Sequence, residues 1–231
     1  MNKPIRKAVI RVDRAQRESE IMTMALDVFA ERGYEATSMA EIAARIGVVE
    51  GTLYKYFESK RELLIKVLEN WYAALIDAFR RDLAGLSGAR ARLRYLVWRH
   101  LRVLHEDRLL CLLLFQEVRA ERDYYQSGLH QMNRRYSQLL MDVMQEGMDS
   151  GEFRADVSPS LIRHMIFGGI EHHAWAFLCG HGELDIERLT GEVCAIAYAA
   201  LMPVDESAGD PGRIAARLEN VAARLEKLLP N

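Results

Sequence analysis

From residue 17 to residue 202 the apolar residues recur every three to four positions, and this period limits the fold more than any other feature of the chain. It is the spacing that places side chains on one face of an α-helix. In 17–32, Ile21, Ala25, Val28 and Phe29 share a face, and Gly33 follows where a helix takes a left-handed stop. No alternating run of β-branched residues bounded by turns competes with this pattern, and only five prolines interrupt 231 residues. The expected fold is all-α.

Start and stop signals divide the chain. Ser38 with Glu41 forms a capping box that opens a second helix, closed after Ile46 by Gly47. A third, short helix is expected over 50–57. Ser59 with Glu62 forms a second box, opening a long helix to about 86 with Leu64, Val67, Leu68, Trp71, Leu75 and Phe79 facing inward. Further helices are expected at 89–105, 108–119, 124–149, 158–178 and 185–202. Ser158 as N-cap and Pro159 in the first position start the fourth of these five. The polar stretch 205–212 reads as a linker to a terminal helix over 211–229. There Ile214, Leu218, Val221, Leu225 and Leu228 form a heptad stripe too short for a firm coiled coil. The organisation is a basic arm over 1–16, a three-helix unit over 17–58, a larger helical body over 59–202, and a linker with an amphipathic helix over 203–231.

Half the residues are hydrophobic and 28% are charged, as in an ordered soluble protein. Net charge is −2, so affinity for a polyanion has to come from local charge. Such charge exists at the start, where Lys3, Arg6, Lys7, Arg11, Arg14 and Arg17 stand against Asp13 alone, a net of +5. No apolar run of signal-peptide or bilayer length follows, and a cytoplasmic location is expected. Cys111, Cys179 and Cys194 lie in apolar helical patterns without paired spacing, which suits buried thiols in a reducing compartment. Phosphate-cradling, zinc-hydrolase, nucleophile-elbow and dithiol motifs are absent from the sequence, so no catalytic residue and no cofactor is expected.

The string from Thr37 to Phe57 carries the functional signal. Ile42, Ala43, Ile46, Val48, Leu53 and Phe57 fall where two short helices pack on each other and on the first, and Gly47 supplies the turn. Together with Phe29-Ala30-Glu31-Arg32-Gly33-Tyr34 before it and Ser59-Lys60-Arg61-Glu62-Leu63 after it, the string closely resembles the signature of the TetR (tetracycline-repressor) family, over roughly 17–66. The resemblance implies a helix-turn-helix on double-stranded DNA. Its candidate contacts here are Thr37, Ser38, Glu50, Gly51, Thr52, Tyr54, Lys55, Tyr56 and Lys60. Glu50 and Gly51 occupy the family's position for base edges, while Thr52, Lys55, Tyr56 and Lys60 are expected to point outward to phosphates. Tyr54 is open between a core ring and a phosphate contact. Val49 departs from the family, which places Ser there as the recognition-helix cap; losing such a cap costs about 1 kcal/mol. The basic arm is either a minor-groove contact or a solvated tail. The rival to DNA binding is a helical protein-interaction module, which has no need of outward phosphate donors.

The resemblance also implies that the body binds a small apolar effector and forms a homodimer through the helices at 158–178 and 185–202. Candidate pocket residues are Trp71, Trp98, Phe115, Tyr125, Met132, Tyr136, Phe167 and Trp175. The stretch from Arg163 to Glu171 is similar to the matching helix of TetR-type regulators of fatty-acid degradation, which implies an acyl-CoA as effector. No metal site is expected: His172 and His173 are helix neighbours about 100° apart, and His164, Glu171 and His181 have no ligand spacing. No membrane partner is expected.

Overall fold

The computed structural model describes residues 14–203. Among these the elements are α1 (Arg14–Arg32), α2 (Met39–Ile46), α3 (Glu50–Leu53), α4 (Lys60–Ala84), α5 (Ala89–Glu106), α6 (Arg108–Leu113), α7 (Gly128–Asp149), α8 (Pro159–Leu178) and α9 (Ile186–Leu201), with no strand. α1 is helical from the first described residue, and Arg14–Glu18 and Arg17–Glu20 pairs, both at 2.8 Å, support it there. The last residues assigned to the basic arm are therefore helical. The rest of the arm, 1–13, and the amphipathic helix expected over 211–229 lie outside the described residues.

Three expected helices are divided or shortened. α3 keeps only one turn, after which Tyr56 N–H and Phe57 N–H both bond the Leu53 carbonyl and the chain tightens into turns. The segment expected at 108–119 is α-helical to Leu113 and then widens into a π-turn, Leu114–Val118. The segment expected at 124–149 starts as a 3₁₀ turn, Tyr124–Gln126, and α7 begins after Ser127, whose hydroxyl caps the His130 N–H at 3.1 Å. Among the described residues no helix is long and apolar enough to cross a membrane.

The core is continuous. Ile21, Val28 and Phe29 of α1 meet Ile42, Leu53 and Phe57 in the three-helix head. α4 packs on α1 and also on α7, so it belongs to head and body at once. α5 is held by α7, α8 and α9. Cys111 and Cys194 are buried as expected, but Cys179 is exposed: it is the residue that ends α8, beyond the last buried position, Leu178. At Gly147, α7 leaves no room for a side chain. A Cβ there would overlap the Phe153 ring and lie 2.8 Å from the Ala89 Cβ. Gly147→Ala is expected to lower stability by roughly 1–3 kcal/mol through overpacking, measured as a lower urea midpoint with an unchanged slope.

Candidate nucleic-acid interface and effector cavity

The head presents one exposed edge. Ser38 caps α2 through a complete box: its Oγ accepts the Glu41 N–H at 3.2 Å, and its own N–H donates to Glu41 Oε2 at 2.9 Å. That N–H, with the Ser38 hydroxyl and Arg32, holds the Glu41 carboxyl below the usual range. Gly47 ends α2 at φ 81°, donating to the Ala43 and Ala44 carbonyls, and the space around it is open, so backbone conformation rather than crowding requires glycine. Val49 then stands as the cap of α3 with no side-chain hydrogen bond and 75% exposure.

Glu50, Gly51, Tyr54 and Lys55 are exposed and Thr52 is half-buried. Tyr54, open on sequence grounds, is a surface residue at 49% exposure. Three candidate contacts are placed otherwise than expected. Thr37 is buried, its hydroxyl donating to the Gly33 carbonyl at 2.8 Å, so it stitches the α1–α2 turn. Lys60 turns back, donating to the Tyr34 carbonyl at 2.6 Å and the Glu35 carbonyl at 3.3 Å, with its ammonium 4.2 Å from the Tyr34 ring centre. Tyr56 is half-buried against the core, with the Arg14 guanidinium 5.7 Å from its ring centre. Only Lys60 answers the 34–35 loop, satisfying two of its carbonyls beside the Tyr34 ring; Thr37 answers the end of α1 and Tyr56 its first turn. Lys55 makes no ion pair among the described residues, whereas Arg32 and Arg45 are paired with Glu41 and Glu31.

In the body, α4, α5, α6, α7 and α8 enclose a cavity of about 30 Å³. Trp71, Phe115, Tyr136 and Phe167 line it, as expected, with Tyr72, Leu75, Leu104, Leu114 and His100. His100 Nδ1 and the Tyr136 hydroxyl are 2.8 Å apart, and the imidazole lies 4.7 Å from the Phe167 ring. Burial pushes His100 down to about 4, with Arg119 adding to the effect. Tyr72 OH donates to Asn133 Oδ1 at 3.2 Å, and Trp71 Nε1–H to Asp107 at 2.9 Å.

Glu171 lines this cavity and both recesses outside it, and Arg119, 2.9 Å away, lines both recesses. One recess, about 560 Å³, includes Trp175 and His172; the other, about 430 Å³, includes Tyr125, His130, Arg134, Arg163 and His164. The Arg119–Glu171 pair thus stands between an apolar interior and a polar, cation-rich exterior. Trp98 and Met132 line none of the three. Trp98 instead donates to Glu187 at 2.9 Å, tying α5 to α9, and Met132 packs on the core. From the π-turn, the Glu117 carbonyl accepts Arg61 Nη1–H at 2.9 Å, which joins the cavity wall to the first turn of α4.

Known proteins match both halves of the chain. Residues 21–67 match the bacterial regulatory proteins of the tetR family, and residues 68–200 match the C-terminal region of YsiA-like proteins. The chain belongs to the TetR family. It is a DNA-binding transcriptional regulator, and the reading as a DNA-free interaction module is set aside. The fatty acid metabolism regulator protein of Bacillus subtilis (strain 168) is 25% identical over 182 residues, 79% of this chain and 94% of that relative. The repressor KstR2 of Rhodococcus jostii (strain RHA1) is 30% identical over 149 residues, 63% of this chain and 72% of its own. Among solved structures, the transcriptional regulator FadR from Bacillus subtilis in complex with stearoyl-CoA is 26% identical, with a TM-score of 0.69 over 78% of this chain and 96% of that one.

Within this TetR body, the sequence reading missed His100, Arg119, Tyr124 and Asn133. The one available signal was His100 itself, a polar residue inside the apolar stripe Leu93, Leu96, Val97, Leu101, Leu104 of α5. Two measurements check the site. Ser38→Ala should cost about 1 kcal/mol of stability, and Val49→Ser should add a comparable amount, both read as thermal midpoints. His100 titrates lower folded than unfolded, so the unfolded chain binds more protons between pH 6.5 and about 4. Stability is therefore fully present above pH 6.5 and is lost as pH falls toward 4. Comparing urea midpoints across that window, His100→Leu should show a shallower loss than the parent.

Proposed function

We propose that this regulator represses transcription as a homodimer on a palindromic operator and leaves it when an acyl-CoA enters the body. The division into a head over 17–58 and a body over 59–202 follows the two tasks. The carrying observation is the cavity itself: apolar inside, gated by Arg119–Glu171, and flanked outside by Arg134, Arg163 and histidines. An acyl chain gains about 0.8 kcal/mol per methylene taken from water, and the phosphates of its carrier suit guanidinium groups. Stearoyl-CoA is the ligand of the Bacillus subtilis relative of known structure, which supports the same class here.

At about 30 Å³ the cavity is too small for an acyl chain, so entry has to move a wall. The π-turn Leu114–Val118 is the wall with irregular backbone. It carries Leu114 and Phe115 on the cavity side and holds Arg61 through the Glu117 carbonyl. Its displacement pulls on the start of α4, whose neighbouring Lys60 grips the Tyr34–Glu35 loop of the head. The spacing of the two heads then changes, and the operator is released. On the DNA side, Ser38, Glu50, Gly51, Thr52, Tyr54 and Lys55 meet the duplex, while Thr37, Tyr56 and Lys60 brace them. The regulator has no catalysis of its own and acts in the cytoplasm.

For the dimer, α8 and α9 expose Leu161 at 57%, Met165 at 56% and Ile196 at 66%, and a Cβ at Gly168, Gly169 or Gly191 would meet nothing within 4 Å. An apolar, small-residue face of this kind suits a four-helix interface between two copies. Ile196→Asp is expected to yield monomers by sedimentation; an unchanged dimer would remove this face from the interface. The operator reading is tested on DNA flanking the gene. Affinity should fall steeply with salt, and micromolar stearoyl-CoA should dissociate the complex. Persistence of the complex through a panel of short- to long-chain acyl-CoAs eliminates that effector class.

A further inference from the structure

The cavity holds a polar pair that its own walls do not satisfy. His100 is buried, its Nδ1 is taken by the Tyr136 hydroxyl, and its Nε2 has no partner among the described residues. The balance can be counted in both tautomers. When Tyr136 donates to Nδ1, the Nε2–H is left without an acceptor. When Nδ1–H donates to Tyr136, the phenolic proton is left without one. Either way, the pair is one acceptor short. Buried donors are rarely left so, and the cavity that both residues line, about 30 Å³, has room for an oxygen atom.

Position along the entry path adds to this. His100 and Tyr136 line the inner cavity and neither outer recess, whereas Arg119 lines both recesses and stays outside. The thioester and phosphates of a CoA ester are matched by the gate and the cations beyond it. The acceptor that His100–Tyr136 lacks has to be carried deeper, within the acyl body. A plain hydrocarbon chain arriving there offers no acceptor and leaves the donor bare.

We propose that the effector is an oxygenated acyl-CoA, with a keto oxygen in its acyl body seated on the His100–Tyr136 pair. This rests on the acyl-CoA reading above and narrows it. An unsubstituted chain of the same length forfeits one buried hydrogen bond, an affinity loss on the order of 10- to 100-fold.

The test is calorimetric titration of the full-length protein with stearoyl-CoA and with a positional series of oxo-octadecanoyl-CoAs. At least one oxo position is expected to bind 10-fold or more tighter than stearoyl-CoA. That advantage should vanish in His100→Phe, while stearoyl-CoA binding holds or improves. Tyr136→Phe keeps the ring and should reduce the same advantage, which covers the event that His100→Phe fails to fold. Equal binding of oxo and saturated esters, or an oxo advantage that survives both variants, overturns this inference and leaves the acyl-CoA reading standing. No binding by any CoA ester, oxidised or saturated, overturns both.

Discussion

Apolar burial along the whole of α4 is the constraint on which the remaining structure depends. Its 25 residues, roughly 37 Å at 1.5 Å per residue, pack on α1 in the head and on α7 and α5 in the body. Buried Leu63, Leu64, Val67 and Leu68 are followed without a break by Tyr72, Leu75, Ile76 and Phe79. Each such side chain contributes on the order of 1.5–3 kcal/mol when fully buried, so the helix cannot loosen at one end without cost at the other. A change in the cavity wall therefore has a stiff route to the head. Arg61, bonded to the π-turn, and Lys60, bonded to the Tyr34–Glu35 loop, sit side by side at its start.

The head follows a different economy. Its core is small and mostly satisfied by α1, α2 and single residues such as Leu53 and Phe57, while α3 is one turn long. A helix this short gains little from propagation, and Val49 gives it no side-chain cap. Its position comes instead from Leu53 and Phe57 beneath it and from Gly47 before it. That leaves Glu50, Gly51, Tyr54 and Lys55 outward on a short, lightly braced element, which suits a surface that completes its contacts on DNA.

The body places polar atoms where packing alone would favour hydrocarbon. His100–Tyr136, Tyr72–Asn133 and Trp71–Asp107 are all pairs on or beside one cavity. Of these groups only His100 Nε2 lacks a partner, and a partly satisfied polar group in a low-dielectric interior costs stability, as expected where the proposed effector would sit.

The sequence by itself determined which segments are helical, though not where three of them end or break, together with the caps at Ser38 and Ser59, the uncapped Val49 and the membership of the head in its family. These are local properties: a 3.6-residue period and a serine three residues before a glutamate act over one or two turns. Four of the eight pocket residues expected from the sequence line the cavity, two line the outer recesses, and Trp98 and Met132 do neither, because a large apolar side chain looks the same from the sequence whether it fills a core or faces a ligand. The tertiary structure alone decided that Lys60 and Tyr56 brace the head, since their partners, the Tyr34 and Glu35 carbonyls and the Arg14 guanidinium, lie 25 or more residues away. It alone set Arg119 against Glu171, 52 residues apart, and His100 against Tyr136, 36 apart. Periodicity reports which face of a helix turns inward; which polar atoms then meet depends on how five helices cross.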